Sequence, residues 1–180
     1  LRGRNIQTLD FVVLTHPHLD HYGGLIEVFR QFTVREFLWT GETRKGLVTF
    51  DDFMDAKANE GTQTVATPGL KLESNGATVE ILLAGGNHPN NDDGRNINND
   101  SLSMMLTYKG VKALFTGDLE VDGEFDLVDR YCGQRSTCSK LDADILKMPH
   151  HGSNDLFTPF VSFVKPAIVL VSAGFNNREH

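Results

Sequence analysis

Several signals are missing from this sequence. No apolar run approaches the roughly 20 residues that a membrane-spanning helix needs. The chain opens without a basic segment followed by an apolar one, so no secretory leader is read at its start. Only two cysteines occur among 180 residues. That is too few for a stapled scaffold, and none is required, because a chain of this length buries roughly 70% of the surface it exposes when unfolded. Blocks of positive charge are missing too. The 17 Lys and Arg residues are scattered and outnumbered by 24 Asp and Glu, for a formal charge of −7. This balance argues against strong unaided binding to nucleic acid or anionic membranes. No linker rich in Pro, Gly or Ser interrupts the chain, so one domain over 1–180 is expected. With 39% hydrophobic and 23% charged residues, the composition excludes disorder. The chain begins at Leu1 rather than methionine, and the expectation is that a leader or a larger parent protein has been lost.

What is present is an alternation of strands and helices without repeats. Asp10–Leu14 is a short β-branched apolar run, the signature of a buried strand. Gly23-Gly24 opens a helical spacing at Leu25, Ile26, Phe29 and Phe32. Arg35–Thr40 reads as the next strand, and Asp51–Asn59 as a helix closed by Gly61. Leu70–Glu73 and Thr78–Leu83 form a hairpin around Asn75-Gly76. Gly85–Asp100 is rich in Asn, Asp and Gly and is expected to be a mobile loop edging a pocket. Ser101–Tyr108 and Lys112–Phe115 are strands joined by Lys109-Gly110. Glu124–Tyr131 is helical, Ala143–Lys147 a strand, Phe157–Val164 a short helix and Ala167–Val171 a last buried strand.

The histidines carry the chemistry. Six of the seven stand in short polar segments just beyond predicted strands. His16, His18, Asp20 and His21 would gather three imidazoles and a carboxylate in one turn, a costly arrangement unless a cation binds them. Zinc-like ions take this mixture of nitrogen and oxygen donors. Asp118 follows a glycine at another strand end, where a carboxylate can close a turn or bridge two metals. His150-His151 supplies nitrogen at a third. Strand ends converging on one rim are where α/β folds usually build sites.

At this point the sequence resembles a family. Thr15-His16-Pro17-His18-Leu19-Asp20-His21-Tyr22-Gly23-Gly24 is similar to the signature of the metallo-β-lactamase superfamily. Four further pieces narrow the likeness to the metallo-hydrolase domain of the ComEC/Rec2 competence proteins and their stand-alone relatives. They are Asn98-Asn99-Asp100-Ser101-Leu102, Phe115-Thr116-Gly117-Asp118, Asp144–Ser153 with its Pro149-His150-His151-Gly152, and Ser172-Ala173-Gly174 with Asn176 and His180. The resemblance implies an α/β fold, an αββα sandwich lacking its first strands here, with two divalent ions, zinc or else manganese. It implies that His16 and His18 hold the first metal, that Asp20, His21 and His151 hold the second, and that Asp118 bridges them. His150 would face substrate or support the ligands, and His180 would aid the leaving group or touch a phosphate. With Asp20 they form the expected catalytic set, while Ser153, Asn99 and Asn176 are expected to meet substrate. Many superfamily members place another histidine ligand before the Ser101 position. Here Ile97-Asn98-Asn99-Asp100 stands there, leaving the first site to water or to His88 from the long loop.

Two metals ~3.5–4 Å apart can share one water and bring its pKa toward ~7, so no serine or cysteine nucleophile is needed. The competence-like resemblance implies a phosphodiesterase or nuclease acting on a phosphodiester such as DNA. No basic track or aromatic series of the kind that nucleic-acid channels use accompanies it. Tyr22, Phe37 and Trp39 read as core or pocket wall. Small esters, of the phosphocholine or lactone kind, suit the residues almost as well, and a weak metal-binding module is the non-enzymatic alternative. A redox di-iron role is disfavoured, because the oxygen-reducing relatives carry a glutamate where His18 stands. Cys132 and Cys138 allow either a disulfide in an exported protein or two thiols in a cytosolic one, so location stays open.

Overall fold

A computed structural model describes residues 2–44, 46–58, 61–85, 95–133 and 138–174. They fall into two compact units, residues 1–66 and 67–180.

In the first unit, β1 (Thr8–Val13), β2 (Thr33–Trp39) and β3 (Thr62–Val65) form a parallel sheet in that order. The connections are α1 (Leu19–Gln31) and α2 (Val48–Lys57), which pack on each other. Parallel neighbours require such crossovers. Tyr22 and Phe29 of α1, a helical repeat apart, are buried in one cluster with Val12, Val34, Phe37, Trp39, Phe50 and Phe53. Burying each aromatic ring contributes roughly 2–3 kcal/mol. The rings meet edge-on or tilted at 5.2–6.1 Å between centroids, the geometry that aromatic quadrupoles favour. Lys57 is buried among them, its ammonium 4.2 Å from the Trp39 ring and donating to Gln63 Oε1 at 2.6 Å. Burial pushes its pKa down. At the entry to β3, a Cβ on Gly61 would lie 2.2 Å from the Arg35 carbonyl oxygen, so only glycine lets the backbones approach.

In the second unit, β4 (Lys71–Ser74), β5 (Ala77–Leu83), β6 (Ser103–Tyr108) and β7 (Val111–Phe115) make an antiparallel meander. Its turns Asn75-Gly76 and Lys109-Gly110 have positive φ at both positions, as two-residue hairpins demand. The chain then changes habit. β8 (Ile145–Lys147) and β9 (Ile168–Leu170) extend the sheet in parallel, reached through α4 (Val121–Cys132) and α5 (Phe160–Val164). The core is aliphatic, built from Leu82, Leu114, Leu119, Leu127, Leu141, Leu146 and Val164 with Phe160. A disulfide joins Cys132 and Cys138 inside it, with Cα atoms 5.0 Å apart. Of the two cysteine readings, the structure takes the bonded one.

The structure differs from the sequence expectations in four places. α1 begins at Leu19, before the double glycine, because His18 already has extended N-cap geometry and the first turn forms directly after it. β3 was not expected; its residues Thr62–Val65 are mostly polar and lack the apolar alternation of a strand. Of the expected loop 85–100, residues 86–94 lie outside the described residues, but Arg95–Asn99 is a short helix, α3, and Ile97–Asp100 is buried. β9 is exposed rather than buried at all three residues; among the described residues it has a sheet neighbour on one side only. Among the described residues, no helix is long and apolar enough to cross a membrane.

Candidate metal centre

The first unit carries its expected ligands where β1 passes into α1. The chain leaves the sheet after Leu14, whose N–H still bonds the Leu38 carbonyl at 2.9 Å. The His18 carbonyl then accepts the first helical N–H groups, from His21 and Tyr22, both at 3.0 Å. Asp20 and His21 therefore share the first turn of α1, where a carboxylate also suits the helix dipole. The imidazoles of His16 and His21 lie 4.1 Å apart and those of His16 and His18 4.6 Å apart, between centroids. His16 Nε2 is 2.9 Å from His18 Nδ1, and His21 Nε2 is 3.4 Å from Asp20 Oδ2. Behind the rings, the Thr15 hydroxyl meets Nδ1 of His16 at 3.2 Å and Nδ1 of His21 at 3.3 Å. It thus engages the far nitrogens and leaves Nε2 of both rings to face the cluster.

The second unit assembles its cluster from segments far apart in sequence. Asp118 follows β7, His150 and His151 follow β8, Ser172 follows β9, and Asn98–Ser101 leads into β6. Because β6 runs antiparallel to β7 while β8 and β9 run parallel to it, all of these ends lie on one rim of the sheet. The Ser101 hydroxyl accepts the Asp118 N–H at 3.0 Å, fixing the turn after β7. Asp118 is buried, its Oδ2 3.1 Å from His151 Nε2 and its Oδ1 3.4 Å from the Lys147 ammonium, which also donates to the Gly117 carbonyl at 3.1 Å. His151 Nδ1 donates to the Ser172 carbonyl at 2.5 Å. That bond places a proton on Nδ1 and turns Nε2 toward the carboxylate.

His150 sits differently. Its Nδ1 is 3.4 Å from Glu120 Oε1 and its Nε2 3.5 Å from Asn98 Nδ2. Both histidines have left-handed backbones, φ 41° and 55°, followed by Gly152 at 87°. Left-handed geometry costs an ordinary residue about 1–2 kcal/mol, and strain of this kind clusters at functional sites. Asn99, expected to meet substrate, is buried, and its Oδ1 accepts the N–H groups of Glu120 and Gly123 at 3.0 and 2.9 Å. It thereby caps α4, whose Gly123 leaves room for it: a Cβ there would lie 2.9 Å from Asn99 Oδ1. Ser153 donates its N–H to the His150 carbonyl at 2.8 Å, and its Oγ accepts the Asp155 N–H at 3.2 Å. His88, Asn176 and His180 lie outside the described residues.

Both clusters have the donor chemistry of a divalent-metal site. The Asp118 carboxylate oxygen and the His151 Nε2, 3.1 Å apart, are donors of the kind such an ion takes. The mixture of nitrogen and oxygen suits zinc. Sequence reasoning passed over two charged residues at this rim, Lys147 and Glu120. The signals were present: a lysine ends the otherwise apolar strand Ile145–Lys147, and an acid stands two residues past Asp118. Apart from the rim, Glu124 is fully buried on α4, one carboxylate oxygen accepting the Phe157 N–H at 2.6 Å. Burial pushes its pKa up to about 8, against the lowering effect of that bond and with help from the charge of Asp155.

The family model described as the metallo-beta-lactamase superfamily matches residues 1–164. ComE operon protein 3 of Bacillus subtilis is 28% identical over 100% of this chain and 22% of its own length. Competence protein ComA of Neisseria gonorrhoeae is 26% identical over 98% of this chain and 22% of its own. The chain thus spans about a fifth of these relatives. Among solved structures, zinc-bound PqqB from Methylobacterium extorquens superposes with a TM-score of 0.51 at 16% identity, covering 78% of this chain and 45% of that one. At that identity the likeness speaks for the fold alone.

Proposed function

Because this chain belongs to the metallo-β-lactamase superfamily of metal-dependent hydrolases, we propose that it hydrolyses phosphodiesters with a pair of divalent ions, most simply zinc, and that DNA is its substrate. The observation that carries the hydrolytic reading is the Asp118–His151 pair, 3.1 Å apart and with His151 oriented by the Ser172 carbonyl. The names of the competence-protein relatives support the choice of DNA. The resemblance implies that His16 and His18 would hold one ion, that Asp20, His21 and His151 would hold the other, and that Asp118 would be shared. When bound, such ions supply a nucleophilic water at neutral pH and offset the charge that develops on the scissile phosphate.

The chain's own residues prepare the ground. Thr15 fixes the two imidazoles whose Nδ1 atoms it meets. Ser172 fixes the tautomer of His151. Lys147 balances the buried Asp118 carboxylate from the side away from His151 and adds positive charge where a phosphate oxygen is to be received. A second reading, hydrolysis of small esters such as phosphocholine diesters or lactones, is favoured by one observation, the net charge of −7 without any basic tract.

The test is metal analysis of the purified chain, joined to turnover of bis-p-nitrophenyl phosphate, single- and double-stranded DNA, and a lactone, with zinc or manganese added. Metal-dependent cleavage of the phosphodiesters is expected. Cleavage of the lactone alone would favour the second reading, and iron with no hydrolysis of any of them would overturn both.

A further inference from the structure

The polar cluster beside Asp118 is larger than a metal site requires. Glu120 and Asn98 are each 6% exposed, and neither belongs to the ligand set. A carboxylate so buried is held only where hydrogen bonds compensate it. We propose that Glu120, acting with Asn98, is the positioning residue that locks His150 and thereby holds the left-handed His150-His151 turn, so that His151 Nε2 stays aimed at Asp118. The inference rests on the reading of Asp118 and His151 as metal ligands and names what keeps them in register.

The geometry leads there stepwise. Asn98 Nδ2 donates to Glu120 Oε1 at 2.8 Å. Turning the amide over would set its oxygen against the carboxylate, so its orientation is decided. The same Nδ2 points at His150 Nε2, which must therefore accept. His150 Nδ1 in turn lies 3.4 Å from Glu120 Oε1, within electrostatic reach of the carboxylate though not hydrogen-bonded to it. Both ring nitrogens of His150 are thus addressed from α3 and the start of α4. Asn98 Oδ1 has no hydrogen-bond partner among the described residues. Such a buried orphan calls for an explanation, and here it is the work of the amide nitrogen. Asn99 completes the clamp by accepting the Glu120 N–H at 3.0 Å, so consecutive asparagines hold the backbone and the side chain of one residue. Without the clamp, nothing in the backbone preference of two histidines maintains φ values of 41° and 55°.

The experiment compares the wild-type chain with Glu120→Gln, Glu120→Ala and Asn98→Ala. Zinc affinity is read by competition with a chromophoric chelator, ligand geometry by the visible spectrum after cobalt substitution, and folding by circular dichroism without metal. Glu120→Ala and Asn98→Ala should bind zinc about 10- to 100-fold more weakly, the usual range for partners that orient ligands, with an altered cobalt spectrum. Glu120→Gln keeps an acceptor at the same place and should recover wild-type affinity and spectrum. Zinc binding by Glu120→Ala equal to wild type would overturn the inference, as would a Glu120→Gln defect as large as that of Glu120→Ala. Should Glu120→Ala fail to fold, the decision passes to Asn98→Ala against Glu120→Gln by the same criteria. A wild-type chain that binds no zinc would remove the hydrolase reading itself, and this inference with it.

Discussion

Residues 1–66 and residues 67–180 carry their candidate metal-ligating side chains on different kinds of scaffold. In the first unit His16, His18, Asp20 and His21 come from one strand end and the helical turn that follows, above a core of packed aromatic rings. In the second, Asp118 and His151 are brought together from turns more than thirty residues apart, over an aliphatic core, by the buried polar groups Ser101, Asn98 and Glu120 and the half-buried Lys147. A local cluster needs only the right helical start. A distributed one needs every strand in its place and a hydrogen-bonded frame to hold the turns.

The largest expected effect tests whether both scaffolds serve one chemistry. His18→Ala and Asp118→Ala should each reduce metal-dependent hydrolysis to background while far-UV circular dichroism stays close to wild type. If one variant kept near-native turnover, its unit would have no part in catalysis. Next comes Glu124, a buried acid of the second unit whose folded-state pKa is pushed up to about 8 from 4.5. Between those values the folded chain keeps a proton that the unfolded chain releases. Stability therefore falls as pH rises across this window and levels off above it, by up to about 4–5 kcal/mol for the full shift. Glu124→Gln stays neutral and should lose this slope, which urea melts from pH 5 to 9 would show; identical slopes would contradict the burial argument.

The disulfide offers a smaller contrast. It closes a loop of only a few residues, so Cys132→Ala with Cys138→Ala should lower stability by about 2 kcal/mol on the loop-entropy estimate. Mass spectrometry of the wild type should show no alkylation until the protein is reduced. The smallest effect belongs to the exposed Arg35–Asp10 pair in the first unit, at 2.8 Å. Arg35→Ala should cost less than about 1 kcal/mol and lose its effect in high salt. A larger loss would mean that the first unit depends on surface charge more than on its aromatic core.

Much of the architecture could be read from residue patterns, for reasons that are local. Asn75-Gly76 and Lys109-Gly110 mark hairpins because few residues accept positive φ at two successive positions. The apolar run of β9 states that the strand prefers burial, whereas its exposure depends on whether a neighbour covers it. The start of α1 was set too late because two glycines look like a boundary when the His18 cap is not considered.

The sequence by itself determined the first cluster, since spacing of two to three residues across a strand end and a helix cap leaves the side chains little choice but to meet. It also marked Asp118 and the histidine pair as chemistry-bearing. Only the tertiary structure decided which histidine of the pair faces Asp118, that Asn99 caps a helix, that Glu120 and Lys147 belong to the rim, and that the cysteines are bonded. The reason is physical. Neighbours within one turn are dictated by backbone geometry, whereas neighbours on adjacent strands are dictated by sheet order and register, which the whole unit settles when it folds.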